Sequence, residues 1–446
     1  MTKRTRIIIF LVCSFLFILI APSIVLYSQG YRIDLENKKF TKTGGLFLKI
    51  LPRQADVYID GKLNKRTDFF FGSVLIENLL PKKYKVEVKK EEYHSWEKTL
   101  AIKEREVTEA KNIILFPQNI NFSVLAARVE QFWFSPDQRK IILLETEQKE
   151  KEENAPADKK PDWALKLYDL NRNIKSHLLS REDFIPFFSF ASKDLVREIE
   201  LIDLDFSEDS KEIYLAVGLK EQEKNFTLKL DKFPPTLTER EIATSSENII
   251  ASQTFNGESY YLDKSGHLFK NEGRLTENPF PVKPETEYKL NIFPGHIFLS
   301  ESQNLYLFSP DLKSFEKFFE DINFLKISPD NEKLVYFSNY EIWILFLSDK
   351  NDPPQKKAGE KLFLIRLSET ITDVFWLNSN YLIFMAGETI KISEIDNRDK
   401  LNMTDIFETK KLPQNGSSLE MFWNQSDKKL YLLSGNNLYG SNPLLP

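Results

Sequence analysis

The residues best suited to catalysis or metal binding are few and scattered along this sequence. The 446 residues include only four histidines, and no two of them are neighbours in the chain: His94, His177, His267 and His296. A metal site needs several suitable ligands brought together. The sequence also lacks a Gly-x-Ser-x-Gly elbow, a His-Glu-x-x-His motif and a glycine-rich phosphate loop. We therefore predict no catalytic, metal-binding or cofactor-binding residues, and no enzymatic activity.

Two local patterns resemble sites but have simpler interpretations. The acidic stretch from Glu198 to Asp209 contains Asp203 and Asp205 in alternation. It lacks the ligand and glycine spacing of a calcium loop, so the solvated face of a strand is the favoured interpretation. His94 and Trp96 lie close together, but one histidine with no second ligand nearby rarely binds metal. We expect these two side chains to cover the end of a hydrophobic core.

The overall composition excludes other classes of function. Lys and Arg total 61 against 66 Asp and Glu, which gives a net charge of -5. A nucleic-acid-binding protein would show clustered positive charge, so we expect no nucleic-acid partner. The single cysteine, Cys13, allows no disulfide. The 36 Phe and 16 Tyr favour an all-β fold, and the length suggests two or three domains.

The N-terminal segment predicts a single transmembrane helix at residues 7–27. This run carries no charge and, at ~1.5 Å per residue, spans roughly the 30 Å hydrocarbon core of a bilayer. Lys3, Arg4 and Arg6 precede it and should keep residues 1–6 in the cytoplasm. The chain from Ser28 onward is then extracytoplasmic, and membrane lipid is its first expected partner.

A cleaved signal peptide is the alternative interpretation of the same segment. Its apolar region is normally about 7–15 residues long, which is shorter than the run found here. No clean small-x-small cleavage site follows the run. The sequence therefore favours a retained anchor in the cell membrane, followed by a linker at residues 28–43.

Residues 44–117 alternate like the strands of a small β domain. Val57 to Ile59 runs into Asp60-Gly61, a strong hairpin signal because glycine adopts positive φ without steric cost. The segment Tyr84 to Val88 alternates between apolar and charged residues. Further strands are expected at Thr99 to Ile102 and Asn112 to Phe116.

This segment resembles the PEGA domain. The resemblance rests on motifs that occur in the family's order: Pro52-Arg53-Gln54-Ala55, Val57 to Lys62, the turn at Pro81, Tyr84 to Val88, and Tyr93-His94-Ser95-Trp96. Gln54, Lys82 and Glu92 stand where the family has glycine, which places the turn geometry in question. The resemblance implies a noncatalytic, extracytoplasmic β-sandwich.

Residues 118–446 repeat an apolar strand, a Ser-Pro-Asp turn and a second apolar strand. Ser, Pro and Asp suit the successive positions of such a turn. The clearest copies are Phe132 to Leu144 and Phe324 to Phe337, and weaker ones are Leu204 to Leu215 and Met421 to Leu432. The second strands begin at Ile141, Ile213, Tyr260, Ile297, Leu334, Leu382 and Leu430. Spacings mostly near 40–50 residues predict a β-propeller of about seven blades.

These units are similar to the WD-like repeats of TolB-type propellers. The glycine usual after Asp is replaced by Gln138, Ser210 and Asn331. The resemblance implies binding through loops at the ends of the blades. The insertion from Glu145 to Asp162 is dense in Glu, Lys and Pro and is expected to be a solvated loop.

The last unit lacks a fourth strand before the chain stops at Pro446. Phe122 to Ala126, which precedes the first unit, is expected to supply that strand, because an unfilled edge would promote aggregation.

Two classes of function remain open for this architecture. The favoured one is a noncatalytic scaffold whose propeller binds a protein or a cell-envelope glycan. The alternative is a propeller-based hydrolase of cell-envelope glycans, with acids converging on the channel from separate blades. Two carboxylates about 5–10 Å apart in one pocket would favour the hydrolase.

Overall fold

The computed structural model describes residues 3–35, 38–147, 162–188, 198–220, 222–231, 234–240, 248–413 and 419–445. The chain begins with helix α1 (Lys3–Ser28), whose apolar side chains face outward. The helix is long and apolar enough to cross a membrane, a property that signal sequences near an N-terminus share. A two-stranded hairpin follows, formed by β1 (Tyr31–Asp34) and β2 (Lys39–Lys42). The segment predicted as a linker therefore contains regular structure.

The next seven strands form two sheets around one hydrophobic core. The strands are β3 (Gly44–Leu51), β4 (Asp56–Ile59), β5 (Lys62–Arg66), β6 (Ser73–Leu79), β7 (Lys83–Lys89), β8 (Trp96–Ala101) and β9 (Val107–Ile114). One sheet has the order β6-β3-β9 and the other β5-β4-β7-β8. Alternate residues of both sheets, such as Leu48 and Val86, are completely buried between them. The predicted hairpin is present, with Asp60 and Gly61 at positive φ between β4 and β5.

Two non-glycine residues of this domain have the backbone conformation that glycine normally supplies in turns. Gln54 has φ 58° and Glu92 has φ 67°, both in the left-handed region. Side chains other than glycine, Asn and Asp adopt this region only at some cost in free energy. Both turns therefore have a left-handed residue without a glycine.

Within the described residues, twenty-eight further strands form seven four-stranded antiparallel sheets. Sheet 1 contains β11 (Val129–Phe134), β12 (Lys140–Glu147), β13 (Asp162–Asp169) and β14 (Ile174–Ser180). Sheet 2 contains β15 (Glu200–Phe206), β16 (Glu212–Leu219), β17 (Gln222–Lys229) and β18 (Thr236–Arg240). Sheet 3 contains β19 (Ile249–Phe255), β20 (Glu258–Asp263), β21 (Leu268–Lys270) and β22 (Gly273–Arg274). Sheet 4 contains β23 (Tyr288–Phe293), β24 (His296–Glu301), β25 (Asn304–Ser309) and β26 (Ser314–Phe319).

The remaining sheets follow the same plan. Sheet 5 contains β27 (Phe324–Ile327), β28 (Lys333–Phe337), β29 (Glu341–Phe346) and β30 (Lys361–Arg366). Sheet 6 contains β31 (Ile371–Asn378), β32 (Tyr381–Ala386), β33 (Thr389–Glu394) and β34 (Met403–Glu408). Sheet 7 combines β10 (Phe122–Ala127) with β35 (Glu420–Asn424), β36 (Lys429–Ser434) and β37 (Asn437–Ser441). Short 3-10 helices occupy Arg181–Phe187 and Thr409–Lys411.

Hydrophobic cores shared between sheets arrange them as a β-propeller. Buried clusters join sheets 1 and 2, 3 and 4, 4 and 5, 5 and 6, and 6 and 7, whereas among the described residues no such cluster spans sheets 2 and 3. A further cluster joins the last sheet to the first, with Tyr431 and Leu438 of sheet 7 against Val129 and Leu143 of sheet 1. Contact between the first and last sheets is what a closed ring requires.

The predicted closing strand is present. Strand β10 pairs with β37, with Val124 opposite Tyr439 and Phe122 opposite Ser441. Sheet 7 is thereby built from both ends of the propeller, which covers the edge that β37 would otherwise expose. The ends of the predicted acidic insertion, Glu145 to Glu147 and Asp162, belong to strands β12 and β13, and residues 148–161 lie outside the described part of the chain.

The Ser-Pro-Asp turns share one hydrogen-bonding pattern. The hydroxyl of Ser135 donates to Asp137 and accepts from the backbone N–H of Lys140 at 3.0 Å. Equivalent contacts occur at Ser207 and Ser328. The residue after Asp has φ near 58° in each of these turns: Gln138, Ser210 and Asn331. The pattern that marked the repeats is thus a turn with a fixed geometry.

Hydrogen bonds between these turns also connect sheets around one end of the ring. Lys140 Nζ donates to Ser210 O, Asn424 Nδ2 to Gln138 O, Gln425 Nε2 to Trp376 O, and Trp376 Nε1 to Lys326 O, at 2.9–3.3 Å. These bonds link sheets 2, 1, 7, 6 and 5 in sequence. The turn end of the propeller is therefore held by polar contacts in addition to its cores.

The closing strand supplies a direct test of the ring. Ala126 is 4% exposed and packs between sheets 7 and 1, whereas Val124 on the same strand is 56% exposed. The Ala126→Glu substitution should destabilise the propeller by about 2–4 kcal/mol, because it buries a carboxylate in the seam. Val124→Glu, the matched control, should change stability by less than about 0.5 kcal/mol. Urea unfolding of the full chain measures both, and equal midpoints would contradict the closure.

Candidate functional site

The first strands of four sheets surround a common cavity at the centre of the ring. Strands β11, β15, β31 and β35 line a cavity of about 340 Å³. Its lining residues are Phe132, Trp133, Phe134, Asp205, Phe206, Asp373, Glu420, Met421 and Phe422. Because these strands come from sheets 1, 2, 6 and 7, the cavity exists only when the ring is closed.

Aromatic rings at and beside the cavity contact one another. Phe134 and Phe422 stack face to face with ring centroids 4.0 Å apart, and Phe375 meets Phe422 edge-on at 5.7 Å. The ammonium of Lys326 lies 3.3 Å from the centroid of Phe375, a cation–π contact. The Phe422 ring therefore connects the wall of sheet 1 with that of sheet 6.

Three charged groups around this cavity have shifted pKa values. Burial lowers the pKa of Lys326 to about 8, and the carboxylate of Asp373 opposes that shift. Burial raises the pKa of Asp373, while Lys326 opposes it. Burial, and then the negative charge of Asp373, raise the pKa of Glu420. Clusters of mutually perturbed groups in a cavity are typical of functional sites, although structural networks produce them too.

The sequence reasoning recognised only part of this site. Asp205 belongs to the acidic stretch interpreted as the wet face of a strand, and it does alternate with buried Leu204 and Phe206. The face that it occupies is turned towards the cavity. Asp373 and Glu420 were not singled out, because each is one acid in an apolar first strand. The signal available in the sequence was that Asp373 and Glu420 both lie near the start of a repeat.

The histidines are not brought together. The rings of His267 and His296 contact Thr276 and Phe298 respectively, and His177 is exposed on β14. His94 is partly buried, and burial lowers its pKa despite the nearby Asp405. Within the described ranges no three His, Cys, Asp or Glu side chains are placed to hold a metal ion.

A second polar cluster lies between the small β domain and sheet 6. The ammonium of Lys98 on β8 is fully buried and lies 2.6 Å from Glu394 Oε1, which is also buried. Lys98 donates as well to the backbone carbonyls of Asp396 and Lys400, at 2.6 and 3.1 Å. Trp96 Nε1 donates to Glu394 Oε2 at 3.0 Å. The predicted core position of Trp96 is thus correct, and its polar atom also crosses to the propeller.

Further contacts extend this interface along β8 and β9. Arg398 donates to the carbonyl of Glu109 at 2.8 Å, and the Ile114 N–H donates to the Tyr381 hydroxyl at 3.1 Å. Burial, and then the charge of Glu394, raise the pKa of Tyr381. A cavity of about 40 Å³ remains between the domains, which is room for a few water molecules only. The interface is therefore a packed joint and does not offer a ligand site.

An exposed aromatic loop joins the edge strands β5 and β6. Phe69, Phe70 and Phe71 are 62%, 71% and 73% exposed. Asp68 fixes the loop by accepting hydrogen bonds from the backbone N–H groups of Phe70, Phe71 and Ser73 and from the Ser73 hydroxyl. The Ser73 hydroxyl and these backbone groups lower the pKa of Asp68 to about 2. Three adjacent exposed rings form an apolar surface typical of a binding region.

No protein family model matches this chain, and no protein of curated function does. Solved structures with similar coordinates are β-propellers of low sequence identity. A structure described as YCF48 bound to D1 peptide is 12% identical, covers 73% of this chain and 95% of that one, and gives a TM-score of 0.40. YCF48 from Cyanidioschyzon merolae is 9% identical with a TM-score of 0.41, covering 72% and 98%. The Cps50 (Swd1) propeller domain of Myceliophteria thermophila is 10% identical with a TM-score of 0.40, covering 72% and 99%.

These likenesses are too distant to carry a function. The description of this chain as a propeller rests on its own seven sheets and on the contact between the first and the last of them.

The shifted pKa of Lys326 predicts a pH-dependent contribution to stability. Below pH 8 the ammonium is charged in both folded and unfolded chains, so the folded chain bears the full burial penalty. Between pH 8 and about 10.5 the folded chain loses this proton first, so the contribution becomes less unfavourable as pH rises. The free energy of unfolding of the wild type should therefore rise by about 1–2 kcal/mol relative to that of Lys326→Met between pH 7 and 9.5.

Titrating groups that do not interact with Lys326 cancel in this comparison, because both chains contain them, and the carboxyl group of Asp373, which does interact with Lys326, titrates on the acid side of this range. Lys289→Met, which removes an exposed lysine of sheet 4, is the control and should show a constant difference across the same range. Denaturant midpoints of the full chain in detergent measure each difference. A gap between wild type and Lys326→Met that stays constant with pH would contradict the burial of a charged Lys326.

Proposed function

We propose that this chain is a membrane-anchored, extracytoplasmic scaffold whose propeller binds a protein partner at the cell envelope. Helix α1 would cross the membrane with residues 1–6 in the cytoplasm, as Lys3, Arg4 and Arg6 favour. Residues 44–117 would act as a PEGA-like spacer. Residues 118–446 would form a seven-bladed WD-like propeller of the TolB type, with one blade for each four-stranded sheet.

The observation that carries the binding role is the cavity at the centre of the ring. Asp205, Asp373 and Glu420 contribute three carboxylates to its lining, and Lys326 interacts with one of them, Asp373. Phe132 and Phe422 add apolar surface for the stem of a bound side chain. A cavity with an acidic excess and aromatic walls suits a basic side chain carried by a protein segment. A glycan partner would use the same rings for stacking.

The packed joint between the domains supports a scaffold rather than two loosely linked modules. Lys98, Trp96 and Arg398 make direct polar contacts across the joint. A rigid joint would hold the cavity at a fixed position relative to the anchor. The aromatic loop at Phe69–Phe71 would offer the partner a second apolar contact outside the ring.

Photo-crosslinking tests the binding role. A photoreactive phenylalanine analogue replaces Phe422 in the cavity, and the same analogue replaces Ile174, which is 55% exposed on β14, as the control. The cavity position should yield one discrete protein adduct in intact membranes, and the control position should not. Glu420→Gln should lower the adduct yield by roughly ten-fold or more, because a charge-assisted contact is worth about 1.5–3 kcal/mol. Equal adduct yields from both positions would count against the proposal. An adduct yield at position 422 that Glu420→Gln leaves unchanged would also count against it.

A glycan hydrolase is the second candidate, and one observation favours it. Asp373 and Glu420 share the cavity, and the raised pKa of Glu420 keeps its carboxyl protonated to higher pH than usual, as a general acid needs. Purified full chain incubated with cell-wall glycan separates the two candidates. Release of reducing ends by wild type, together with its loss in Glu420→Gln, would establish the hydrolase in place of the scaffold.

A further inference from the structure

The hairpin that follows α1 has two different faces. Residues opposite each other in a hairpin lie on the same face, and the register pairs Ile33 with Phe40. These side chains are 58% and 62% exposed, and Leu35, two residues beyond Ile33, is 81% exposed. The opposite face carries Asp34 and Thr41, which are 7% and 2% exposed. The hairpin therefore turns its apolar face outward and its polar face inward, the reverse of the usual order in water.

The hairpin is held close to the end of the apolar helix. Two residues separate Ser28 from Tyr31, and the guanidinium of Arg32 lies 3.5 Å from the Tyr27 ring centroid. Arg32 also donates to the Tyr27 carbonyl at 2.9 Å and to Asn78 Oδ1 at 2.8 Å. The same side chain thus contacts the last turn of the helix and the small β domain, which limits how far the hairpin can turn away from the helix.

Basic residues lie on both faces of the hairpin. Lys42 shares the apolar face with Tyr31, and its ammonium is 5.0 Å from the Tyr31 ring centroid. Arg32 and Lys39 pair with Thr41 and Asp34 on the opposite face, and Lys38 directly precedes β2. Exposed apolar side chains flanked by cations and tyrosines are the composition of segments that lie in the headgroup layer of a membrane. This surface begins five residues after the end of the apolar helix, which places it next to any membrane that the helix crosses.

We propose that the outward face of the hairpin, formed by Ile33, Leu35 and Phe40, lies in the headgroup layer of the bilayer that α1 crosses. The proposal rests on the proposed function, because it requires α1 to be a membrane anchor. The hairpin then makes a second membrane contact beside the helix. Two contacts restrict the tilt of the small β domain, and through the joint at Lys98 they restrict the tilt of the propeller.

Nitroxide quenching in reconstituted vesicles tests the proposal with the full chain. A small environment-sensitive fluorophore is attached at Ile33→Cys or Phe40→Cys in a Cys13→Ser background. The control is Ile174→Cys in the same background, since Ile174 is equally exposed on the outer strand of sheet 1. Vesicles of phosphatidylcholine and phosphatidylglycerol carry nitroxides either near the headgroup or deep in the acyl chain. A fourth sample carries the fluorophore on the native Cys13.

The expected result is strong quenching at positions 33 and 40 by the shallow nitroxide, none at position 174, and quenching of Cys13 by the deep nitroxide. Unquenched labels at 33 and 40 beside a quenched Cys13 would overturn the hairpin proposal while the anchor stands. Blue-shifted emission at 33 and 40 without quenching would likewise overturn it, because a protein surface would then cover the face. An unquenched Cys13 would overturn both the anchor and the hairpin contact.

Discussion

The ion pair between Lys98 and Glu394 is the contact on which the arrangement of the two β domains depends. A buried ammonium or carboxylate is strongly unfavourable unless it is paired and its remaining hydrogen-bonding positions are filled. Lys98 meets this requirement by contacting Glu394 and two backbone carbonyls. The carboxylate oxygens of Glu394 in turn contact the side chains of Lys98, Trp96 and Asn402. Removing one domain would leave the charge of the other without its partner. The pair therefore ties the position of the small β domain to sheet 6 of the propeller.

Ring closure is the second constraint, and it determines the cavity. The walls of the cavity come from sheets 1, 2, 6 and 7, so its two halves meet only at the seam where sheet 7, completed by β10, packs against sheet 1. The strand that closes the ring follows directly after the small β domain, and Phe116 and Ile120 of the connecting segment pack in the core of sheets 6 and 7. The seam and the joint are thus neighbours. Closure, domain docking and the geometry of the cavity reinforce one another.

The parts of the fold that depend on local patterns could be predicted from the sequence. The Ser-Pro-Asp turns repeat a hydrogen-bonding motif, and the unfilled last unit indicated where Phe122 to Ala126 must pair. The hairpin at residues 31–42 was missed, because its strands are only four residues long and so give too short a pattern to distinguish from a linker. The domain joint was missed for another reason: the strand was predicted to begin at Thr99, so the place of Lys98 beside Trp96 and Leu100 on the buried face of β8 was not recognised. Only the distant Glu394 makes its burial favourable, and nothing in the sequence links the two.

The central claim is that the small β domain and the propeller move as one body. Distance measurement by pulsed electron spin resonance tests it in the full chain, with spin labels at Leu63→Cys and Ile174→Cys in a Cys13→Ser background. Both positions are exposed, one on β5 of the small domain and one on β14 of sheet 1. We predict a single narrow distance distribution that broadens in Lys98→Glu, where two carboxylates would face each other. A broad distribution in the chain with native Lys98 would contradict the claim.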